Sequence, residues 1–195
     1  MGKDDLIKAD ILEAASTLFQ KWGLNKTTME DIAKEIGKGK SALYYYYASK
    51  EDIFIEVITK EIRELIQIIS DRVEKETKAE QKFRVYVEAS LTEFEKYQNL
   101  YKFNCGETMC NFELIRKIAD MVEREIIHLI GSILFFGIEN GEFKNKKNQD
   151  IPMMSYIIAN ALHGIQHGSI IHKTQIKNTS QIDILNSILL DGLKG

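Results

Sequence analysis

The chain has 195 residues, of which 44% are hydrophobic and 28% charged, and its formal net charge is −3. This composition is ordinary for a soluble globular protein of one or two domains with a proper core. Charged residues or histidine interrupt every apolar stretch well short of a membrane span, and the start, MGKDDLIKAD, lacks the apolar part of a signal peptide. We therefore expect a cytoplasmic protein without a membrane partner. A single proline, Pro152, and the lack of strand-like alternation predict an almost wholly helical chain.

Residues 4 to 22 are predicted to form the first helix. Their apolar residues recur with helical spacing along one face, which ends with Phe19 and Trp22. We place both aromatic side chains in the core. Gly23 then ends the helix, because glycine readily adopts the positive φ found there. The helix is interpreted as a scaffold for the segment that follows.

The next segment, TTMEDIAKEIGKGKSALYYYYASK, predicts two short helices joined by a turn. Thr27 and Glu30 have the spacing of a capping box, which indicates a helix start. Gly37 ends this first short helix, since the turn favours a residue free to adopt positive φ. The second short helix carries lysines and four consecutive tyrosines. Two helices in this arrangement are typical of a helix-turn-helix.

Ser49 and Asp52 form a second cap-like pair, which opens the following helix. Residues 34 to 50 carry four lysines and one glutamate, a local net charge of +3, whereas residues 51–195 have a net charge of −4. A small basic patch on an acidic body fits a protein that touches DNA at one end. The pattern alone leaves an alternative open, because glycine-linked short helices occur in many all-α proteins and tyrosines can be core residues.

A resemblance favours DNA binding. The residues that carry it are Ile11-Leu12-Glu13-Ala14-Ala15, Leu18-Phe19, Gly23, Thr27-Thr28, Ile32-Ala33, Gly37, Leu43-Tyr44, Tyr46 and Ser49-Lys50-Glu51-Asp52. In their combined spacing, residues 11 to 58 resemble the DNA-binding domain of the tetracycline-repressor (TetR) family. The resemblance implies an all-α fold, with a three-helix helix-turn-helix domain at residues 1–50. A helical effector-binding and dimerisation domain would occupy residues 51–195.

The predicted DNA contacts lie on and around the second short helix. Its N-terminal end is expected to enter the major groove, where a lysine can donate to guanine or to phosphate. The resemblance implies a phosphate contact at Tyr44 and others at the starts of the two flanking helices. It also places Tyr45 at the DNA surface. The predicted contact residues are Thr27, Thr28, Lys38, Lys40, Ser41, Tyr44, Tyr45 and Lys50. Leu43 and Tyr47 are expected to face the core, and Gly39 stands where the family has a capping serine.

Beyond this domain, the apolar spacing predicts a long helix from Glu51 to about Thr77 and another near residues 80 to 99. The polar run EKETKAEQK separates them as a turn within a domain. A further helix is predicted from Phe112 to Ile138, with a break near Asp120.

The segment YKFNCGETMCNF is rich in aromatic and sulfur-containing residues, which adapt well to varied ligands. It suggests a pocket for an apolar small molecule, although ordinary core packing explains the same composition. The candidate pocket residues are Phe94, Tyr97, Tyr101, Phe103, Cys105, Met109, Phe112 and His163.

Two residue pairs, one of cysteines and one of histidines, raise the question of redox or metal chemistry. Cys105 and Cys110 do not have a zinc-knuckle spacing and are expected to be free thiols, with a redox switch as the alternative. His163 and His167 stand four residues apart on one predicted helix face, but the sequence offers no clear third ligand. We therefore predict no metal site and no cofactor. The sequence also lacks a Ser-His-Asp, paired-carboxylate or phosphate-loop arrangement, so an enzyme is not expected.

The C-terminal residues predict two apolar helices, one after Pro152 and one after Ser180. Together they over-supply the core of so small a domain, and small residues on the first would let another helix approach closely. A homodimer with a four-helix bundle across a twofold axis resolves both observations, and the resemblance implies it. The candidate interface residues are Ala161, Gly164, Gly168, Ile184 and Ile188.

The sequence thus predicts a DNA-binding transcriptional regulator. Our main interpretation is a repressor that a small apolar or amphipathic effector releases from a near-palindromic double-stranded operator. A ligand-independent regulator is the alternative, and a metal-binding helical bundle or enzyme using the histidines is a distant one.

Overall fold

The computed structural model describes residues 2–97, 99, 112–144, 147–172 and 179–194. Within these ranges the regular elements are helices, and none of the described residues forms a strand, which confirms the all-α prediction. The α-helices are α1 (Lys3–Lys26), α2 (Met29–Glu35), α3 (Lys40–Tyr46), α4 (Lys50–Glu74), α5 (Ala79–Glu93), α6 (Phe112–Glu139), α7 (Ile151–His172) and α8 (Thr179–Lys194). Short 3-10 turns occupy Phe94–Lys96 and Asn148–Asp150. None of the described helices combines the length and the apolar character that crossing a bilayer requires.

The chain forms two compact units. The first comprises Met1–Arg63 with Tyr97–Asp120, and the second comprises Glu64–Lys96 with Met121–Gly195. The domain boundary expected after residue 50 coincides with the start of α4 and falls inside the first unit. The division into a DNA-binding and an effector-binding domain stays a prediction.

The core of the first unit is built where α1, α2 and α3 pack in sequence, with α4 supplying further apolar side chains. The rings of Phe19 and Phe54 meet edge to face, with their centroids 5.2 Å apart. The helical conformation of α1 is interrupted at Gly23, whose φ is 77°, as predicted. The core position predicted for Trp22 is wrong, because its ring is 53% exposed at this interruption and the ammonium of Lys21 lies 4.9 Å from its centroid.

The start of α2 lies one residue later than the capping pattern predicted. Thr28 is the N-cap, and its hydroxyl oxygen accepts a hydrogen bond from the amide of Asp31 (3.2 Å). The Asp31 carboxylate in turn accepts from the Thr28 amide (2.9 Å) and hydroxyl (2.6 Å), and these bonds hold the pKa of Asp31 below its usual range. The predicted pair of Thr27 and Glu30 is therefore wrong, because two adjacent threonines offer the same spacing and packing selects the second.

The other local signals around the turn are confirmed. Gly37 has a φ of 64° and follows α2, and the amide of Lys38 donates to the carbonyl of Ala33 (2.9 Å). At the start of α4, the Ser49 hydroxyl oxygen accepts from the Asp52 amide (3.1 Å) and the hydroxyl donates to the Asp52 carboxylate (2.7 Å). The turn and the start of α4 are thus set by short-range hydrogen bonds.

In the second unit, α5 packs against both α7 and α8. The Gln166 amide of α7 donates to the carbonyl of Ser90 (2.8 Å), and the ammonium of Lys194 on α8 pairs with Glu80 (2.7 Å). The helix α6 is continuous through Asp120, so the break predicted there is wrong. Asp120 is exposed, and a solvated carboxylate on the outer face does not interrupt a helix.

The N-terminus of α5 is capped by a distant residue, and this yields a first testable prediction. The Glu142 carboxylate accepts from the amides of Ala79 (2.9 Å) and Glu80 (3.2 Å), because the side chain of the N-cap residue, Lys78, has no hydrogen-bond acceptor. We expect Glu142→Ala to lower the free energy of unfolding by about 1–3 kcal/mol, because two charge-assisted hydrogen bonds at a helix N-terminus are lost.

Urea unfolding at a fixed protein concentration measures this change as a lower midpoint at an unchanged slope. The exposed Glu88 of α5 provides the control, since Glu88→Ala is expected to shift stability by no more than about 0.5 kcal/mol. Equal midpoints for the two variants would show that the Glu142 cap contributes nothing.

Candidate nucleic-acid interface

The helix α3 presents one polar and aromatic face to solvent. Tyr44 and Tyr45 are 50% and 78% exposed, and the same surface contains the exposed residues Lys38, Lys40 and Ser41. These five predicted contact residues are therefore adjacent on one helix and its preceding turn. We call them the α3 surface.

Two side chains hold α3 on its opposite side. Leu43 is fully buried and Tyr47, directly after the helix, is 6% exposed, as expected for residues that face the core. Burial raises the pKa of the Tyr47 phenol above its usual range. Because seven residues make two turns of helix, these two anchors determine which face of α3 remains in solvent.

The tyrosines of α3 have distinct partners. The Tyr46 hydroxyl donates to the Asp4 carboxylate of α1 (2.9 Å), and desolvation together with this bond raises the pKa of Tyr46. Its ring meets that of Tyr45 edge to face at 4.9 Å. The ammonium of Lys40 lies 5.9 Å from the ring centroid of Tyr44, so these two contact candidates form one cationic and aromatic group.

Gly39 is the N-cap of α3, with an extended backbone and its carbonyl accepting from the amide of Ala42 (2.9 Å). A side chain added here would meet the Ser41 hydroxyl at 3.8 Å, which is ordinary contact. The position therefore does not require glycine for steric reasons. Because glycine has no side chain, the end of α3 that is expected to enter the groove is left without a side-chain cap.

The two threonines before α2 differ in exposure. Thr28 is exposed as the α2 N-cap, which is compatible with the predicted phosphate contact. Thr27 is 1% exposed, and its hydroxyl donates to the carbonyl of Gly23 (2.8 Å). Burial contradicts the prediction that Thr27 contacts DNA, because its hydroxyl serves the end of α1 instead.

Lys50 is also engaged within the protein. Its ammonium donates to the carbonyls of Leu24 (2.8 Å), Thr27 (2.9 Å) and Asn25 (3.3 Å). These three bonds use every donor that an ammonium possesses. In the described conformation, the predicted phosphate contact at Lys50 has no donor left to make it.

The first unit contains a buried polar cluster that no sequence pattern predicts. Asn99 is 1% exposed, and its amide donates to the Glu61 carboxylate (2.7 Å) and the Ser16 hydroxyl (2.9 Å). The three residues are far apart in sequence and each is a common surface type, so no spacing rule could have found them. The bond between Tyr46 and Asp4 was missed for the same reason.

Half of the candidate effector-pocket residues lie outside the described ranges. Phe94 is 6% exposed, and Tyr97 is half-buried. Phe112 begins α6, and His163 lies on α7 with an exposed side chain. The remaining candidates, together with Cys110, fall outside the described ranges; they are Tyr101, Phe103, Cys105 and Met109. The pocket therefore stays a prediction.

The two histidines predicted to share a face of α7 are close together, and the ring centroids of His163 and His167 are 6.4 Å apart. The pKa of His163 is lowered, chiefly by desolvation and to a smaller extent by repulsion from His167, although the side chain keeps contact with solvent. Among the residues that the structure describes, no three of histidine, cysteine, aspartate and glutamate come together to hold a metal ion.

The helices α7 and α8 each expose apolar residues in the second unit. Met153, Tyr156 and Ile157 of α7 are 62%, 47% and 58% exposed, and Ile184 and Ile188 of α8 are 61% and 66% exposed. Ala161 and Gly164 are exposed on α7 as well, and no described atom lies within 4 Å of the Cβ positions of Gly164 or Gly168. We call this set the α7/α8 surface, and it contains every predicted interface residue.

Comparison with known proteins places these features in context. The family model described as bacterial regulatory proteins, tetR family, matches residues 11–57, which include most of α1, all of α2 and α3, and the start of α4. Over its length the chain is similar to the HTH-type transcriptional regulator QacR of Staphylococcus aureus. The two are 30% identical over 201 residues, covering 96% of this chain and 98% of QacR.

Two solved structures have a similar fold. The fatty acid degradation regulator FadR from Bacillus halodurans superposes with a TM-score of 0.74 at 22% identity, covering 95% of this chain and 98% of that one. FadR from Bacillus subtilis, in complex with stearoyl-CoA, superposes with a TM-score of 0.71 at 20% identity, covering 96% and 97%. At these identities the structural likeness establishes the fold of the chain.

Proposed function

The chain belongs to the tetR family of bacterial regulatory proteins, and we propose that it is a homodimeric repressor released from a near-palindromic operator by a small molecule. It is a DNA-binding transcriptional regulator by family. The α3 surface carries the more specific proposal, because two buried anchors hold its lysines and tyrosines outward on one short helix.

The α3 surface is suited to the major groove of DNA. That groove is about 12 Å wide and admits one helix, whose N-terminal residues reach the base edges. In this arrangement Lys38, Lys40 and Ser41 enter first, and the exposed hydroxyl of Tyr44 reaches a phosphate at the groove edge. We assign Lys40 the base contact, because its ammonium is already oriented beside the exposed Tyr44 ring.

A dimer supplies two α3 surfaces. A twofold axis would pair the α7/α8 surface with its own copy, and the small residues Gly164 and Gly168 would allow the backbones to approach closely. The operator half-sites would then lie about 34–36 Å apart or a multiple of it, since both α3 helices must enter the same side of the duplex.

The effector is proposed to be apolar or amphipathic. The B. subtilis FadR structure contains stearoyl-CoA, a molecule with a long apolar chain. In this chain, the aromatic and sulfur-containing residues between Phe94 and Phe112, together with His163, would line the pocket. Binding there would change the spacing of the two α3 helices and weaken operator affinity.

Selection of operators from random duplexes with the purified full-length protein tests the DNA-binding proposal. An inverted repeat is the expected product, and its position in the source genome then identifies candidate effectors. Enrichment of no sequence, or of a single asymmetric site, would contradict a dimeric operator reader. Native mass spectrometry with those candidate effectors tests whether one of them binds. Operator affinity that stays unchanged when the protein is saturated with the effector would favour a ligand-independent regulator.

Replacement of Lys40 tests the base contact. Lys40→Ala is expected to weaken binding to the selected operator by about 1–3 kcal/mol, roughly 5- to 150-fold, while binding to random DNA weakens much less, because a base contact carries the discrimination. Fluorescence anisotropy titrations with both duplexes at one salt concentration measure the two affinities. The exposed Lys60 of α4 is the control for loss of one charge, and Lys60→Ala should leave their ratio unchanged. Equal losses on both duplexes in Lys40→Ala would assign Lys40 to phosphate instead.

A further inference from the structure

Lys50 is the first residue of α4, yet its side chain acts on a segment more than twenty positions earlier in the chain. Its ammonium donates to the carbonyls of Leu24 (2.8 Å), Asn25 (3.3 Å) and Thr27 (2.9 Å). Leu24 and Asn25 belong to the last turn of α1, and Thr27 is its C-cap. All of these residues lie in the first compact unit.

The carbonyls and the burial at the end of α1 explain why an ammonium is favourable here. The last carbonyls of a helix lack partners within the helix and carry its negative dipole end, so a cation there is favourable. Leu24 and Thr27 are buried, at 8% and 1% exposure, which limits the water available to satisfy nearby carbonyls. The ammonium therefore supplies three hydrogen bonds to the end of α1 that follows Gly23.

The segment that Lys50 holds leads directly into the DNA-binding helices. Thr28 follows Thr27 as the exposed N-cap of α2, and α2 packs against α3. If the ammonium moved outward to a phosphate, it would abandon three carbonyls at the junction of α1 and α2. Loss of these hydrogen bonds would destabilise the segment that orients Thr28 and, through α2, the α3 surface.

We propose that Lys50 is a positioning residue for operator binding, whose ammonium ties the α1–α2 junction to the start of α4 and makes no phosphate contact. The proposal rests on the DNA-binding function only for its second consequence, weaker operator affinity. Its first consequence, a looser α1–α2 junction in the absence of Lys50, is independent of DNA.

The first measurement uses the free full-length protein. Trp22 is the one tryptophan of the chain; its ring is 53% exposed two residues before Leu24, so its fluorescence anisotropy reports the local mobility of this corner. Lys50→Met keeps the aliphatic stem and removes the donors. We expect Trp22 anisotropy to fall in Lys50→Met, to recover in Lys50→Arg, which restores donors, and to stay unchanged in the control Lys60→Met. An unchanged anisotropy in Lys50→Met would overturn the proposal whether or not DNA binding is observed.

The second measurement separates positioning from phosphate contact. Operator affinity should fall about tenfold in Lys50→Met, because hydrogen bonds to a charged group are lost. The slope of log affinity against log salt should equal that of the wild type. A phosphate contact would instead reduce the slope by about 0.9 per copy, or about 1.8 for a dimer, and that result would overturn the proposal.

Lys50→Gln is measured beside Lys50→Met, so that poor folding of one variant does not remove the test. Its amide can satisfy part of the carbonyl set, and the expected results are a smaller loss of anisotropy and a wild-type salt slope. A reduced salt slope in Lys50→Gln would count against positioning in the same way as in Lys50→Met.

Discussion

Replacing Ile184 and Ile188 together by aspartate is expected to prevent formation of the proposed homodimer and to weaken operator affinity by about 100- to 10,000-fold. The loss is large because two linked half-site contacts become two independent ones, and linkage contributes avidity of that order. Sedimentation velocity over a range of concentrations measures the oligomeric state, and anisotropy titrations with the selected operator measure the affinity.

The position of these residues makes the substitution selective for assembly. Both side chains are more than half exposed in the single chain, at 61% and 66%, so aspartate there removes little from the core of one subunit. A twofold interface contains each substitution twice, which places four carboxylates in an apolar contact region. Burial of unpaired charges is unfavourable enough to prevent association.

The matched control is the double change Ile184→Leu and Ile188→Leu. It keeps the apolar character and volume of the α7/α8 surface, so the dimer and the operator affinity should persist. A double-aspartate variant that remains dimeric with full affinity would show that these residues lie outside the interface.

Gly137→Ala is expected to lower the free energy of unfolding by about 1–3 kcal/mol, the usual cost of forcing extra atoms into a packed core. A Cβ at Gly137 would overlap the ring of Phe143 and lie 2.9 Å from the Cβ of Ala79. Phe143 is 2% exposed, so its ring has little room to retreat. Its backbone is held as well, since the amides of Glu142 (2.9 Å) and Phe143 (3.0 Å) both donate to the carbonyl of Gly137.

The control for this prediction lies on the same helix. At Gly131 a new Cβ would meet Ile151 and Ser155 at 3.5 Å, which is ordinary contact. Gly131→Ala should therefore raise stability by up to about 1 kcal/mol, because alanine loses less conformational entropy in a helix. Denaturant midpoints of both variants at one protein concentration provide the comparison. Equal midpoints would mean that the second unit relaxes around Gly137 at no cost.

The sequence by itself determined the features that depend on neighbours along the chain. Gly23 and Gly37 were recognised as helix stops because positive φ is a local property of glycine. Ser49 and Asp52 were recognised as a cap because both partners lie within one turn. The helical class follows from the short-range periodicity of apolar residues along the sequence. The exposed face of α3 was predicted from the chemistry of its lysines and hydroxyl groups together with the family resemblance.

The tertiary structure decided what those residues do for one another. Two adjacent threonines have equal capping chemistry, and packing buried Thr27 while leaving Thr28 to cap α2. Trp22 has a side chain suited to a core, yet the interruption of α1 leaves it in solvent.

Lys50 shows the same limit at the functional site. A lysine beside a helix-turn-helix matches a phosphate contact in sequence, whereas the folded chain brings three carbonyls from 23 to 26 positions away to its ammonium. Glu142 caps a helix from 63 positions away, again without a local signal. Local chemistry determines which hydrogen bonds a residue is able to make, and only the packing of distant segments determines which partner comes within reach.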